Sequence, residues 1–138
     1  MIAEFQISTT GQGLYEFTRD VERWLNSQSD GLLTLMVRHT SASILIQENA
    51  DPDVQPDLLA FFNRAVPRCD HPSMAYLTHT LEGPDDMPAH IKAAMLPINL
   101  SIPVHKGAMM LGTWQGIYLF EHRDAPQVRR IAAHFGAS

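Results

Sequence analysis

Cysteine is almost missing from this chain of 138 residues, where Cys69 is the only one. An intramolecular disulfide is therefore excluded, and nothing points to an oxidising compartment. Long apolar runs are missing as well. Stretches such as Ser43–Ile46 fall far below the roughly 18 residues that cross a bilayer, so no membrane partner is expected. Met1–Gly13 has neither the basic start nor the apolar core of a secretory leader, which makes the cytoplasm the expected location. Basic charge is scarce: 10 Lys and Arg stand against 15 Asp and Glu, for a net charge of −5. Nucleic-acid binding rests on clustered cations that neutralise phosphates, so it is not expected here. The one basic pair, Arg129–Arg130, reads as a solvated strand or helix face. Also absent are a Gly-rich phosphate loop, a dinucleotide fingerprint and a Ser-centred nucleophile elbow.

What is present is the composition of a globular domain, with 45% hydrophobic and 18% charged residues. The length suits one domain spanning residues 1–138. Glu4–Ser8 alternates like a strand, and Leu14, Phe17, Val21, Trp24 and Leu25 predict a helix over Leu14–Asn26. Leu32–Val37 and Ser43–Gln47 read as neighbouring strands joined by the polar turn Arg38–Ala42. Asp51–Pro52 predicts a helix start, with the Asp51 carboxylate as cap, and Pro67 ends that helix. A shorter helix is expected over Pro88–Met95. Strands follow at Asn99–Val104, Met109–Thr113 and Gly116–Glu121, with a tight turn at Lys106–Gly107, and Val128–Phe135 alternates as a last strand. Helices early and strands late, without βαβ alternation, predict an α+β fold with a largely antiparallel sheet.

Three polar segments carry candidate chemistry. In the first, His39, Thr40 and Ser41 are followed by Glu48 and Asn49; hydroxyl-rich loops bind phosphate or sugar groups, and equally form ordinary turns. In the second, His79, Asp85, Asp86 and His90 gather around a turn and a helix start. Imidazole and carboxylate suit zinc, manganese or similar ions, and histidine is the natural acid or base near neutral pH. The spacing matches no zinc signature, and the alternative is that the aspartates cap a helix while His79 is a half-buried strand residue. In the third, Trp114 and Gln115 stand between glycines, where a ring and an amide can face one cavity. Core packing is the alternative for Trp114, whereas an unpaired buried amide at Gln115 costs about 1–3 kcal/mol. His122 is a reserve candidate.

Together, His39-Thr40-Ser41-Ala42-Ser43, Glu48-Asn49-Ala50-Asp51-Pro52-Asp53-Val54 and Glu82-Gly83-Pro84-Asp85-Asp86-Met87-Pro88-Ala89-His90-Ile91-Lys92 resemble the YjbQ-like family. Leu100-Ser101-Ile102-Pro103-Val104 and Leu111-Gly112-Thr113-Trp114-Gln115-Gly116-Ile117 extend the likeness over nearly the whole chain. One departure, Leu96-Pro97-Ile98-Asn99, touches a turn. The resemblance implies an α+β fold with a curled, mainly antiparallel sheet, two to three helices packed on it, and a homotrimer. It implies a secondary thiamin-phosphate synthase, which joins an aminopyrimidine diphosphate to a thiazole phosphate and releases pyrophosphate. The alternatives are a non-catalytic trimer that binds a metal or a phosphorylated metabolite, and a metal-assisted hydrolase. His39, His79 and His90 are expected to bind a divalent ion (Zn, Mg or Mn) and, with Glu48, to catalyse. Thr40, Ser41, Asn49, Asp86 and Gln115 are expected to contact the small phosphorylated metabolite.

Overall fold

Period-two alternation builds most of the molecule. A computed structural model of the chain describes residues 1–25 and 29–138. Its strands are β1 (Ile2–Ser8), β2 (Gly13–Glu16), β3 (Gly31–Val37), β4 (Ala42–Glu48), β5 (Asn99–His105), β6 (Ala108–Met109), β7 (Gln115–Glu121) and β8 (Val128–Ala137). Among the described residues, three helices, α1 (Thr18–Leu25), α2 (Val54–Ala65) and α3 (Asp86–Met95), join them, with a 3₁₀ turn at Pro72–Met74. The pairings are antiparallel and form a five-stranded sheet in the order β1-β8-β3-β5-β6 and a three-stranded sheet in the order β2-β7-β4. The fold is α+β, as its residue pattern requires.

Along β3, Leu33, Leu35 and Val37 are buried while Leu32, Thr34 and Met36 face outward. The inward residues join Val21 and Leu25 of α1, Ile44 of β4, Ile117 and Leu119 of β7, and Ile131, Ala133 and Phe135 of β8 in one core. Trp24 meets the edge of Phe5 at 5.8 Å between ring centroids, sealing α1 to β1. No helix among the described residues is long and apolar enough to cross a membrane.

Several expectations need correction. β3 and β4 are not a hairpin: β3 pairs with β5 and β8, whereas β4 pairs with β7 in the other sheet. An apolar run shows which residues go inward but not which strand lies beside it. The helix predicted from Leu14 begins only at Thr18, because Gly13–Glu16 pairs with Tyr118–Glu121 as β2. Its expected end at Asn26 lies outside the described residues. α2 starts at Val54 after Asp53, and the Asp51 carboxylate instead accepts the Asp53 amide in a turn. α3 starts two residues before Pro88, at Asp86. Of the run Met109–Thr113 only Met109 is strand; the rest leads into a turn closed by the Gln115 amide donating to the Gly112 carbonyl. Arg129 is no solvated cation. It is buried, its Nε donates to Glu121 Oε1 at 2.8 Å, and its guanidinium also reaches Glu121 Oε2 and Ser41.

Candidate functional site

The start of α3 delivers Asp85 and Asp86 toward the strand end of β7, where Arg123 follows Glu121 and His122. Neither aspartate caps the helix with its side chain. Both instead take Arg123: Nε donates to Asp85 Oδ2 at 2.9 Å and Nη1 to Asp86 Oδ1 at 2.7 Å. A third guanidinium N–H reaches the Glu82 carbonyl. This two-carboxylate grip fixes Asp86, whose side chain is 3% exposed.

The other oxygen of Asp86 faces two imidazoles. Oδ2 lies 2.6 Å from His79 Nε2 and 3.2 Å from His90 Nε2, and the two rings meet edge to face at 5.5 Å. His90 follows Asp86 by four residues, one helical turn, so both project from one face of α3. His79 comes from the loop before the helix rather than from a strand. His90 Nδ1 stands 2.9 Å from the Thr40 carbonyl oxygen. A carbonyl only accepts, so Nδ1 carries the hydrogen and the neutral ring turns a lone pair at Nε2 toward the carboxylate. Two acceptors facing each other at 3.2 Å repel until a proton or a cation lies between them. Burial works to raise the Asp86 carboxyl, but the hydrogen bond with His79 and the charge of Arg123 outweigh it and hold it below the usual carboxylate range. Asp85 is held low in the same way, against burial, by the Asp124 amide and Arg123.

His39, Thr40 and His90 line one small cavity of 240 Å³, with Ala93, Ala94 and Ile98. His39 Nε2 accepts the Arg130 amide at 2.8 Å. Its neutral ring therefore carries the hydrogen on Nδ1 and has no lone pair left for a metal. Burial, with the charges of Arg129 and Arg130, pushes this histidine down, so it is neutral at pH 7. Ser41 turns inward and accepts a hydrogen bond from Arg129 at 2.9 Å.

The remaining candidates lie elsewhere. Glu48 pairs with Gln115 at the far end of β4, about 20 Å from Ala42 at the usual rise per residue. Asn49 and Gln115 line a different, polar cavity of 490 Å³ with Glu16, Arg19 and Glu22. Gln115 Oε1 accepts the Gly112 amide, and Trp114 is exposed rather than packed in the core. Within one chain, then, Glu48, Asn49 and Gln115 do not meet the histidines.

Sequence reasoning missed Arg123 and the role of His122. A lone arginine after a strand carries no pattern, although paired aspartates 37 and 38 residues earlier need a cation. His122 is buried, its Nε2 lies 2.8 Å from Ser43 Oγ, and its Nδ1 has no partner among the described residues. Burial, then Lys92 and Arg129, pushes it down to about 3. Lys92, two residues beyond His90, is itself buried and pushed below its ordinary value by desolvation.

His79, Asp86 and His90 offer one ligand atom each within 4.8 Å of one another, the grouping of this kind among the described residues. Two imidazole nitrogens and a carboxylate oxygen form a donor set of intermediate softness that suits zinc or manganese. The fixed His90 tautomer and the Arg123-anchored carboxylate are the outer hydrogen bonds that orient ligands at such centres. These residues fit a divalent ion.

Comparison with known proteins places this chain. Residues 3–137 match the model of the family described as UPF0047 protein YjbQ-like. The chain is 45% identical over 130 residues to a UPF0047 protein of Synechocystis, covering 93% of this chain and 86% of that one. It is 44% identical over 133 residues to the UPF0047 protein YjbQ of Escherichia coli O157:H7, covering 92% and 91%. A conserved hypothetical protein of Thermus thermophilus superposes with a TM-score of 0.84 at 34% identity, covering 97% of this chain and 99% of that one. A hypothetical protein of Aeropyrum pernix does so with a TM-score of 0.87 at 26% identity, covering 100% and 99%. The sequence match over almost its whole length and the shared fold agree: the chain belongs to the YjbQ-like UPF0047 family.

Proposed function

We propose that His79, Asp86 and His90 hold a divalent cation and that the site acts on a small phosphorylated metabolite. The observation that supports this reading most is Asp86 Oδ2 facing two imidazole Nε2 atoms, one of them with its tautomer fixed by the Thr40 carbonyl. A bound cation would neutralise the charge that develops on a leaving diphosphate. The chain's own groups do the rest. Arg123 holds Asp86 in place, and Thr40 orients His90. His39, neutral with Nδ1–H, is a hydrogen-bond donor at the adjoining cavity.

The specific reaction proposed is the joining of an aminopyrimidine diphosphate to a thiazole phosphate, with release of pyrophosphate and a slow, metal-dependent rate. No Gly-rich cradle grips the diphosphate, which is why the rate is expected to be low. The assay supplies both precursors, follows pyrophosphate release with magnesium, manganese or zinc, and repeats it after chelation. Loss of the signal on chelation and in His90→Ala supports the transferase. Phosphate release from a single substrate points instead to metal-assisted hydrolysis, and binding without turnover to a binding protein.

A homotrimer is part of this proposal. α2 presents Leu58, Leu59, Phe61 and Phe62, yet none of its residues is buried in the single chain. A helix whose apolar side is only half covered in this way, with Phe61 exposed, suits contact with another copy.

A further inference from the structure

The polar cavity of 490 Å³ that Asn49 and Gln115 line has no part in the reading above, and its charged side chains, Glu16, Arg19 and Glu22, are exposed. Glu16 is the best held of them. The Thr18 hydroxyl donates to Glu16 Oε2 at 2.8 Å and itself accepts the Ile117 amide, while the Tyr118 hydroxyl stands 3.4 Å from Oε1. Gln55 Nε2 donates to that phenolic oxygen, which leaves the Tyr118 hydrogen for Glu16. The carboxylate lies over Gly116, where a Cβ would come within 2.5 Å of Oε2. Two neutral hydroxyls and a missing side chain thus fix this anion. Neither Glu16 nor Arg19 nor Glu22 is in an ion pair among the described residues. Gln115 Oε1 accepts the Gly112 amide, so its Nε2 is the donor left over. Met109 and Leu111 add an apolar wall.

We propose that this cavity binds a free amino acid with an apolar side chain, its ammonium on Glu16 and its carboxylate on Arg19 and Gln115 Nε2. The ligand's side chain rests against Met109 and Leu111. Unpaired charges of both signs in one cavity match a zwitterion, whose two ends they receive at once. Hydrogen bonds between charged groups are about twice as strong as neutral ones, so each end adds to the hold. The site shares no residue with His79, Asp86 and His90, so it is tested on the full chain after chelation.

Calorimetric titration compares L-leucine with isoamylamine, which lacks the carboxylate, isocaproate, which lacks the ammonium, and N-trimethylated leucine, whose cation has no N–H. L-leucine is expected to bind about tenfold more tightly than each of the others. Glu16→Gln should bring leucine down to the affinity of isocaproate. Gly116→Ala should do the same, because the atom its Cβ meets first is the end of a flexible side chain, so the carboxylate is displaced while circular dichroism shows an unchanged fold. No binding of leucine at millimolar concentration, equal affinity for all the probes, or an affinity that either substitution leaves unchanged would overturn the proposal.

Discussion

His122 is buried just past the end of β7, with Ser43 on one ring nitrogen and no partner on the other among the described residues. Its surroundings push it from the ordinary histidine value of 6.5 to about 3, first through burial and then through Lys92 and Arg129. Between those two values the unfolded chain holds a proton at this position that the native chain does not. Stability therefore falls as pH falls through this window, and is unaffected by this residue above it. Each unit of difference corresponds to about 1.4 kcal/mol, so acidification from pH 7.5 to 5 costs on the order of 2 kcal/mol at this residue alone. His122→Gln keeps a polar partner for Ser43 and removes the titration. Urea unfolding of wild type and variant at pH 7.5 and pH 5 measures the effect. His39, also pushed down, contributes equally to both proteins and cancels. The variant is expected to lose about 2 kcal/mol less than wild type over the interval. An equal loss in the two proteins would refute the reasoning.

Three further outcomes follow from named contacts. Arg129→Met strands the fully buried Glu121 carboxylate; a loss of about 3–5 kcal/mol in denaturant unfolding is expected, and a loss below 1 kcal/mol would mean that Thr9 and the Arg123 amide suffice. Gly31→Ala would bring a Cβ within 2.3 Å of the Gly136 carbonyl oxygen and 2.8 Å of the Phe135 ring. Because the nearer atom is backbone, a cost of about 3 kcal/mol is expected on unfolding, and an unchanged midpoint would show that β8 yields. Phe61→Asp, on the uncovered face of α2, should convert a trimer to monomer in light scattering; a wild-type chain that already runs as a monomer would remove that part of the proposal.

Much of the fold was legible because period-two burial is written into β3, β5 and β8 residue by residue. Strand partnership was not, since Leu32–Val37 and Ser43–Gln47 look alike and only the closing of β8 and β5 onto β3 separates them into two sheets. Leu14–Glu16 was misread because Leu14, Phe17, Val21 and Leu25 keep helical spacing across a strand-to-helix junction. At the site, Asp86, His90 and His79 were visible only as neighbours around a turn and a helix start; that Asp86 and His90 share one helical face was not, because the helix was expected from Pro88 and begins at Asp86. Arg123 was invisible, because its partners lie on another element. The distance from Glu48 and Gln115 to the histidines is likewise a property of the strand they share with Ala42 and Glu121, not of either motif. The burial of Arg129 depended on Glu121, eight residues earlier across a turn, which no local pattern marks.

The most direct test is the metal content of the chain purified without a tag, measured by inductively coupled plasma mass spectrometry after dialysis against trace zinc. Wild type is expected to hold about one ion per chain, and Asp86→Asn and His90→Ala to hold none while keeping their circular dichroism, because Arg123 orients Asp86 and the Thr40 carbonyl orients His90 as ligands. Wild type without bound ion, or variants that retain it, would contradict the assignment of His79, Asp86 and His90 as a metal centre.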